Sequence, residues 1–445
     1  MKRNTPPQEE PQGRPIGIQQ QAVDIKQWYN NLSVAWKKVI EYTLGIEELT
    51  TKEDFDQLEQ TEQLYFYIDQ EYLNELKDLT PVTALKNVRH LYLSGVPVQD
   101  ISAIRNMNLL SLDLGNSMIL DINDVQYLRN LEYLALSNTK IANVRPVSGL
   151  SNLKSLRIDY SRVKDLTPLE KLYQLRDLSL SGLKIKDISM LSNLVSLIEL
   201  NLSNTHVKDI ASLNGLKGLE RLYLNYTQVS DISPLTELLY INNLDLSYTY
   251  VKDFSPLSNM KNLEYVNLGY TSIETLNGLH STNLKTLYLY NAALESLEGV
   301  HNLEKLEYLD VSRTMVDDIS PLSELLNLKY IYFNSTDVAH LDALQNSYQL
   351  EYIYANDTLI KDLKPLEKLR NLRGLDLGNT FVTDISPLAQ LTNLDYINLG
   401  QNNIKSLKPL FELPNLNTLY LYQATYPKNE LEEFREKFPN CYIDS

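Results

Sequence analysis

The sequence predicts an α/β solenoid: a curved stack of short units with parallel strands on the concave side, 3-10 or turn segments on the convex side, and a helical cap at each end. Three observations carry this. An apolar x-L-x-L-x segment recurs at almost constant spacing, each copy alternates with period two like a strand with one buried face, and the flanking regions switch to helical periodicity. The central apolar residues run Leu91, Leu112, Leu134, Leu156, Leu178, Leu200, Leu222, Leu244, Val266, Leu287, Leu309, Ile331, Ile353, Leu375, Ile397 and Leu419. Thirteen of the fifteen spacings are 22 residues and the other two are 21. A seventeenth, irregular unit opens at Leu64, with about five extra residues before the next.

Within a unit such as LERLYLNYTQVSDISPLTEL, the strand is followed by Gly, Asn or Thr, then an apolar residue, then D-I-S-P-L. The proline falls outside the strand, where its missing N–H removes no ladder bond. One unit cannot bury its own leucines, so neighbours must stack into a continuous core. Parallel strands about 4.8 Å apart would then form the concave sheet.

This pattern, LxxLxLxxNxL with DISPL, resembles the leucine-rich repeats, in the 22-residue form shared by bacterial internalins and a phosphatase-1 regulatory subunit. The resemblance covers about residues 61–426 and implies a bacterial interaction protein. The family's usual asparagine is mostly replaced. Thr stands at 139, 205, 227, 249, 271, 314, 336, 358 and 380, Ser at 117 and 161, and Asn only at 402. A hydroxyl can bond the turn backbone instead; Val96, Leu183, Ala292 and Ala424 cannot.

Residues 1–22, with four prolines and five glutamines, read as a disordered tail. Residues 23–60 read as a helical N-terminal cap. Ser33 is the expected N-cap and Gly45 the expected C-cap of a helix with Trp36, Val39, Ile40 and Leu44 on one stripe. A second helix is expected from Thr50, with Glu53 completing a capping box. The repeats occupy 61–426. Residues 427–445 form the other cap and a tail, where Asn429 and Glu432 suggest another capping box and Leu431, Phe434 and Phe438 the covering face. Cys441 reads as a small buried hydrophobe.

Composition narrows the function. The net charge of −16 sets the chain against nucleic acid and anionic lipid. No apolar run approaches the roughly 18 residues that span a bilayer. The opening MKRNTPPQEEPQG has no apolar stretch of a signal peptide, so a cytoplasmic location is expected unless a leader has been removed. A single cysteine builds neither a disulfide nor a cysteine metal site. The five histidines lack metal-ligand spacing. Asp177 and Glu199, side by side on adjacent strands, could in principle act as a glycosidase pair, but Arg157 and Arg221 flank them and suggest a solvated ion network. No cofactor and no catalytic residue is expected.

The positive signal lies on the concave face. Eighteen of the 30 tyrosines fall at its exposed strand and turn positions, with no phenylalanine, no lysine and only Glu199 as glutamate. Interfaces are enriched in Tyr and depleted in Lys and Glu. Tyr330, Tyr332, Tyr352 and Tyr354 should form a two-by-two block extended by Tyr308. Tyr226, Tyr248 and Tyr270 should form a row, with Tyr223, Tyr288 and Tyr290 nearby. Eight acids (Asp113, Asp159, Asp177, Glu199, Asp245, Asp310, Asp357 and Asp376) against Arg157, Arg221 and Arg313 make the face mildly acidic. The expected function is non-enzymatic recognition of a protein partner on these tyrosines. The alternatives are a carbohydrate-binding surface, a regulatory subunit of a catalytic partner, and a purely structural tyrosine ladder.

Overall fold

Among the described residues, eighteen short strands line up in one sheet, every neighbouring pair parallel. The computed structural model describes residues 24–445; the tail read at 1–22 lies outside the described residues. Register follows the repeat: Leu91 pairs with Leu112, Ile331 with Ile353 and Ile397 with Leu419. These residues are fully buried, as are the apolar residues of the D-I-S-P-L segments. Truncating one such leucine to alanine costs about 2–5 kcal/mol, because the stacked units on either side restrict collapse around the void.

The convex side carries short 3-10 turns such as Ser233–Leu235 and Ser386–Gln390. Their aspartates explain the D-x-S spacing. Asp231 accepts from the Ser233 N–H at 2.8 Å and Asp384 from the Ser386 N–H at 2.9 Å, closing the turn at its N-terminus.

The nine threonines after the strands bond within their own unit, and Thr380 also donates to Asn402 Oδ1 of the next unit at 2.8 Å. Each is buried and donates its hydroxyl to the carbonyl three residues back, at 2.5–2.9 Å. The serines do not do this: Ser117 Oγ and Ser161 Oγ are buried without a partner. Threonine's branched Cβ restricts its rotamer, which serine lacks. Asn402 donates back to the Leu377 carbonyl of the preceding unit and to the Leu399 carbonyl of its own.

The inter-unit stitching lies at the other end of the strand. Asn152, Asn262, Asn283, Asn327, Asn371, Asn393 and Asn415 each donate to a backbone carbonyl of the preceding unit at 2.8–3.1 Å.

At the N-terminus, α1 (Ile25–Asn30), α2 (Val34–Leu44) and α3 (Lys52–Glu59) cover the first strand, Gln63–Tyr65. Ser33 caps α2 at Trp36 N and Gly45 takes the left-handed conformation at φ 70°. The second cap differs by one residue from the sequence reading: Thr51 is the N-cap, and Asp54 replaces Glu53 in the box. The Asp54 carboxylate accepts from both Thr50 N and Thr51 N, at 2.9 and 2.7 Å, so it satisfies two open donors. The extra residues of the irregular unit form α4 (Gln70–Leu73).

At the C-terminus, α5 spans Lys428–Lys437 and has no side-chain cap, so the Asn429–Glu432 box does not form. Its stabilising carboxylate is Glu430, which reaches back to Ser406 Oγ at 2.9 Å and Leu407 N at 2.6 Å. Leu431 and Phe434 are buried against the last repeats. The expected tail is a strand, Tyr442–Asp444, paired parallel to Thr418–Tyr420. Cys441 is half-buried rather than buried, packed against the core just before the edge strand Tyr442–Asp444; burial still pushes its thiol up.

Candidate functional site

Two side-chain positions on each strand, and two in the turn after it, face the concave side. The second turn position has positive φ in every regular unit, from Gly95 at 79° to Gln423 at 53°. Glycine and asparagine adopt this region readily, whereas tyrosine does so at a cost of about 1–3 kcal/mol. Tyr226, Tyr248 and Tyr270 nevertheless occupy it on three consecutive units, at φ 57°, 55° and 56°.

Their rings compensate by stacking. Tyr226 and Tyr248 lie 4.0 Å apart at 12°, and Tyr248 and Tyr270 4.1 Å apart at 19°. Tyr290 closes the row edge-on to Tyr270 at 4.7 Å, and its hydroxyl lies 3.0 Å from that of Tyr248. Gly269 makes room: a Cβ there would lie 2.8 Å from the Tyr290 ring. Hydrogen bonding to Tyr290 and Tyr226 pushes the Tyr248 phenol up, while bonding from Tyr290 and Tyr248 lowers that of Tyr270. Aromatic pairs contribute about 0.5–1.5 kcal/mol each, enough to offset the backbone cost.

The second group sits on regular strand backbone. Tyr330 pairs with Tyr352 and Tyr332 with Tyr354 in register, their rings stacked at 5.3 and 4.4 Å and nearly parallel. Tyr308 joins at 5.1 Å from Tyr332, and Tyr288 at 4.7 Å from Tyr308. Burial, ahead of the neighbouring Tyr354, pushes the Tyr332 phenol up to about 12. The Tyr352 ring lies over Gly374, where a Cβ would come within 2.3 Å.

The structure therefore gathers ten of the eleven sequence-chosen tyrosines into two groups. Tyr223 stands apart, with no ring contact among the described residues; burial and Glu199 raise its phenol. Tyr265 belongs to the second group, 5.6 Å from Tyr288, although it was not among the chosen residues. Only Tyr226 is exposed, at 52%; the other ten are half-buried, mostly by one another.

The acids of this face are less available than their number suggests. Asp113, Asp245, Asp310 and Asp376 each accept from the N–H two residues on, at 2.8–3.1 Å, and so close the turn that carries the positive-φ residue. Burial raises all four carboxyls above their usual range. Glu199 accepts from Arg221 Nε at 2.7 Å, within the ion network that the flanking arginines suggested. Asp177 has no ion-pair partner within 4 Å among the described residues; burial, then Glu199, raises its carboxyl.

A line of alternating charge borders the second tyrosine group: Glu264, Lys285, Glu307, Lys329, Glu351, Arg373 and Asp395. Glu264–Lys285, Glu307–Lys329 and Arg373–Asp395 close at 2.9, 2.7 and 2.9 Å. Its signal was in the sequence, two positions before each core residue. Among the described residues no cluster of three metal-ligating side chains forms, and no helix is long and apolar enough to cross a membrane.

Comparison with known proteins agrees with this geometry. The family model described as Leucine Rich repeats (2 copies) matches residues 195–237 and 348–390. No curated protein sequence matches the chain. Among solved structures, an internalin of Listeria monocytogenes is similar at 26% identity and TM-score 0.62, covering 85% of this chain and 98% of that one. A leucine-rich-repeat protein of Leptospira interrogans is similar at 20% identity and TM-score 0.68, covering 92% and 98%. A plant peptide hormone receptor, in complex with RGF2, is similar at 16% identity and TM-score 0.60, covering 79% and 65%. The last two bear on the fold alone.

Proposed function

We propose that this chain, a leucine-rich-repeat protein of internalin-like type, binds a protein partner on its tyrosine-lined concave face and performs no chemistry of its own. Leucine-rich repeats generally serve as interaction modules. The observation that carries the reading is the tyrosine block at Tyr330, Tyr332, Tyr352 and Tyr354, on a face with no lysine and with its central acids bound into turns. It offers large, pre-ordered area at low entropic cost, with residues that can each contribute on the order of 2 kcal/mol as hot spots.

Stacking also weighs against the carbohydrate reading. Sugars pack on open ring faces, whereas rings 4.0–4.4 Å apart cover one another's faces and present edges and hydroxyls. The experiment is capture from a native lysate by wild type and by the variant with Tyr330, Tyr332, Tyr352 and Tyr354 all changed to Ser, read by mass spectrometry. A protein lost with the variant and not displaced by glycans supports the reading. Identical captures would refute it.

A further inference from the structure

The flank that follows the strands carries a charge pattern that no single unit explains. Beyond each turn the chain runs extended for three residues. The first of them donates its N–H to the carbonyl of the second in the preceding unit, as Arg162 does to Ile141 and Tyr250 to Val229, both at 2.8 Å. The middle residue is buried, as Val163, Val229 and Val316 are, so its two neighbours face outward and form two columns along the flank. The second column changes sign halfway. It reads Lys164, Lys186 and Lys208 on three consecutive units, Ser230 and Lys252 on the next two, then Glu274, Glu295 and Asp317. The three outer lysines and three outer acids are exposed and enter no ion pair among the described residues. Asp165, Asp187 and Asp209, beside the lysines, are engaged by N–H groups of their own turns.

Reversing the order of the units matches this pattern to itself. A two-fold axis between the units of Ser230 and Lys252, directed from the concave to the convex side, lays a second copy antiparallel on the flank. It sets Lys164 opposite Asp317, Lys186 opposite Glu295 and Lys208 opposite Glu274, and each contact occurs twice because the surface is its own partner. In the first column the same axis sets Lys140 opposite Asp337 and Met118 opposite Leu359. Met118 and Leu359 are both exposed apolar side chains. From Met118 to Leu359 no like charges face each other in either column. This stretch is twelve units long, about 55 Å at about 4.8 Å per unit. A contact width of about 15 Å then gives the roughly 800 Å² per partner of a standard interface.

The net charge of −16 opposes self-association. At about 0.1 M salt, however, charges more than about 10 Å apart are largely screened, which leaves the facing pairs as the main electrostatic contact. Exposed ion pairs are individually weak, so here they fix register and orientation while the apolar residues add contact. A polyanion would suit the lysines but would meet Glu274, Glu295 and Asp317 farther along the same strip.

We infer that this flank is an interface with a second copy of the chain, the two running antiparallel about a two-fold axis and leaving both concave faces open. The inference goes beyond the tyrosine face and does not rest on it. Sedimentation equilibrium of the full chain over a range of protein concentrations, at about 0.1 M and about 1 M NaCl, tests it. Three variants are compared with wild type: Lys164, Lys186 and Lys208 to Glu; Glu274, Glu295 and Asp317 to Lys; and all six changes together. These side chains are exposed, so circular dichroism should show the fold unchanged in each. Wild type should dimerise at the lower salt, with a dissociation constant about tenfold higher at the upper one. Either triple variant alone should dimerise about a hundredfold more weakly, because like charges then face each other. An equal mixture of the two triple variants should form a heterodimer, and the sixfold variant should dimerise as wild type does. A wild type that stays monomeric overturns the inference, and so does a dimer indifferent to the swaps. A monomeric wild type retained on immobilised heparin, with retention lost in the lysine variant, overturns it too and assigns the lysines to a polyanion.

Discussion

The two tyrosine groups are built from the same repeat yet stand on different backbones. Tyr330, Tyr332, Tyr352 and Tyr354 occupy strand positions that any aromatic residue fills comfortably. Tyr226, Tyr248 and Tyr270 occupy a turn position of positive φ that seven other units give to asparagine or glycine, and the rest to Tyr160, Arg313, Ser335, Asp357, Gln401 and Gln423. Backbone preference cannot explain the second group, since it runs against it. Stacking between neighbours makes it tolerable, and a strained position filled repeatedly by a large side chain points to a use for that side chain. The first group, by contrast, needs no such explanation, so it must be tested for binding directly.

The sharpest way to break the comparison is at the supports. Gly374→Ala should displace the Tyr352 ring and cost about 1–3 kcal/mol, visible as a lower urea midpoint and as loss of the block's partner. Gly269→Ala should do the same to Tyr290 while leaving the block intact. Next, Thr249→Ala removes the buried bond to the Leu246 carbonyl and should cost about 1 kcal/mol in the same assay, loosening the turn under Tyr248.

A smaller effect separates the backbones themselves. Tyr248→Asn loses two stacking partners but gains a residue suited to φ 55°. Tyr332→Asn loses stacking and gains nothing. Chemical denaturation should find the first variant more stable than the second by about 1 kcal/mol. Equal losses would show that the left-handed tyrosines carry no strain.

The smallest effect is in pH. Asp245, Asp310 and Asp376 on the concave side have carboxyls raised by burial. The folded state holds their protons more tightly than the unfolded chain, so their contribution is complete below the unfolded pKa and is lost as pH rises through the folded one. Asp100, Asp231, Asp253 and Asp384 on the convex side are lowered, chiefly by the backbone N–H each accepts. Their contribution is present above the unfolded pKa and is lost as pH falls through the folded one. Urea midpoints across the acid range should therefore fall less on acidification in Asp253→Asn, and rise less on mild acidification in Asp376→Asn, than in wild type.

The fold was legible because a 22-residue period fixes register, and register fixes which leucines are buried. The groupings around Tyr332 and Tyr248 followed from the same arithmetic. What the period does not encode is backbone conformation within the turn: nothing in Asn-Tyr-Thr at 225–227 says that Tyr226 is left-handed. Nor does it say which polar residues are already engaged. Asp310 looked like surface charge and is a turn clamp, while Asn327 carries no mark of its own in the sequence and is inter-unit stitching. The caps erred where two candidates compete within a residue or two, as with Thr50 and Thr51, or where a carboxylate finds a tertiary partner first, as Glu430 does.

The central claim is that the strand-borne block recognises a partner rather than holding the sheet together. Thermal unfolding of the protein with Tyr330, Tyr332, Tyr352 and Tyr354 replaced by Ser tests it most directly, run beside capture of the partner. The account predicts a melting temperature within about 3 °C of wild type and loss of the captured protein. A collapse of the melt with unchanged capture would contradict it and make the tyrosines a structural ladder.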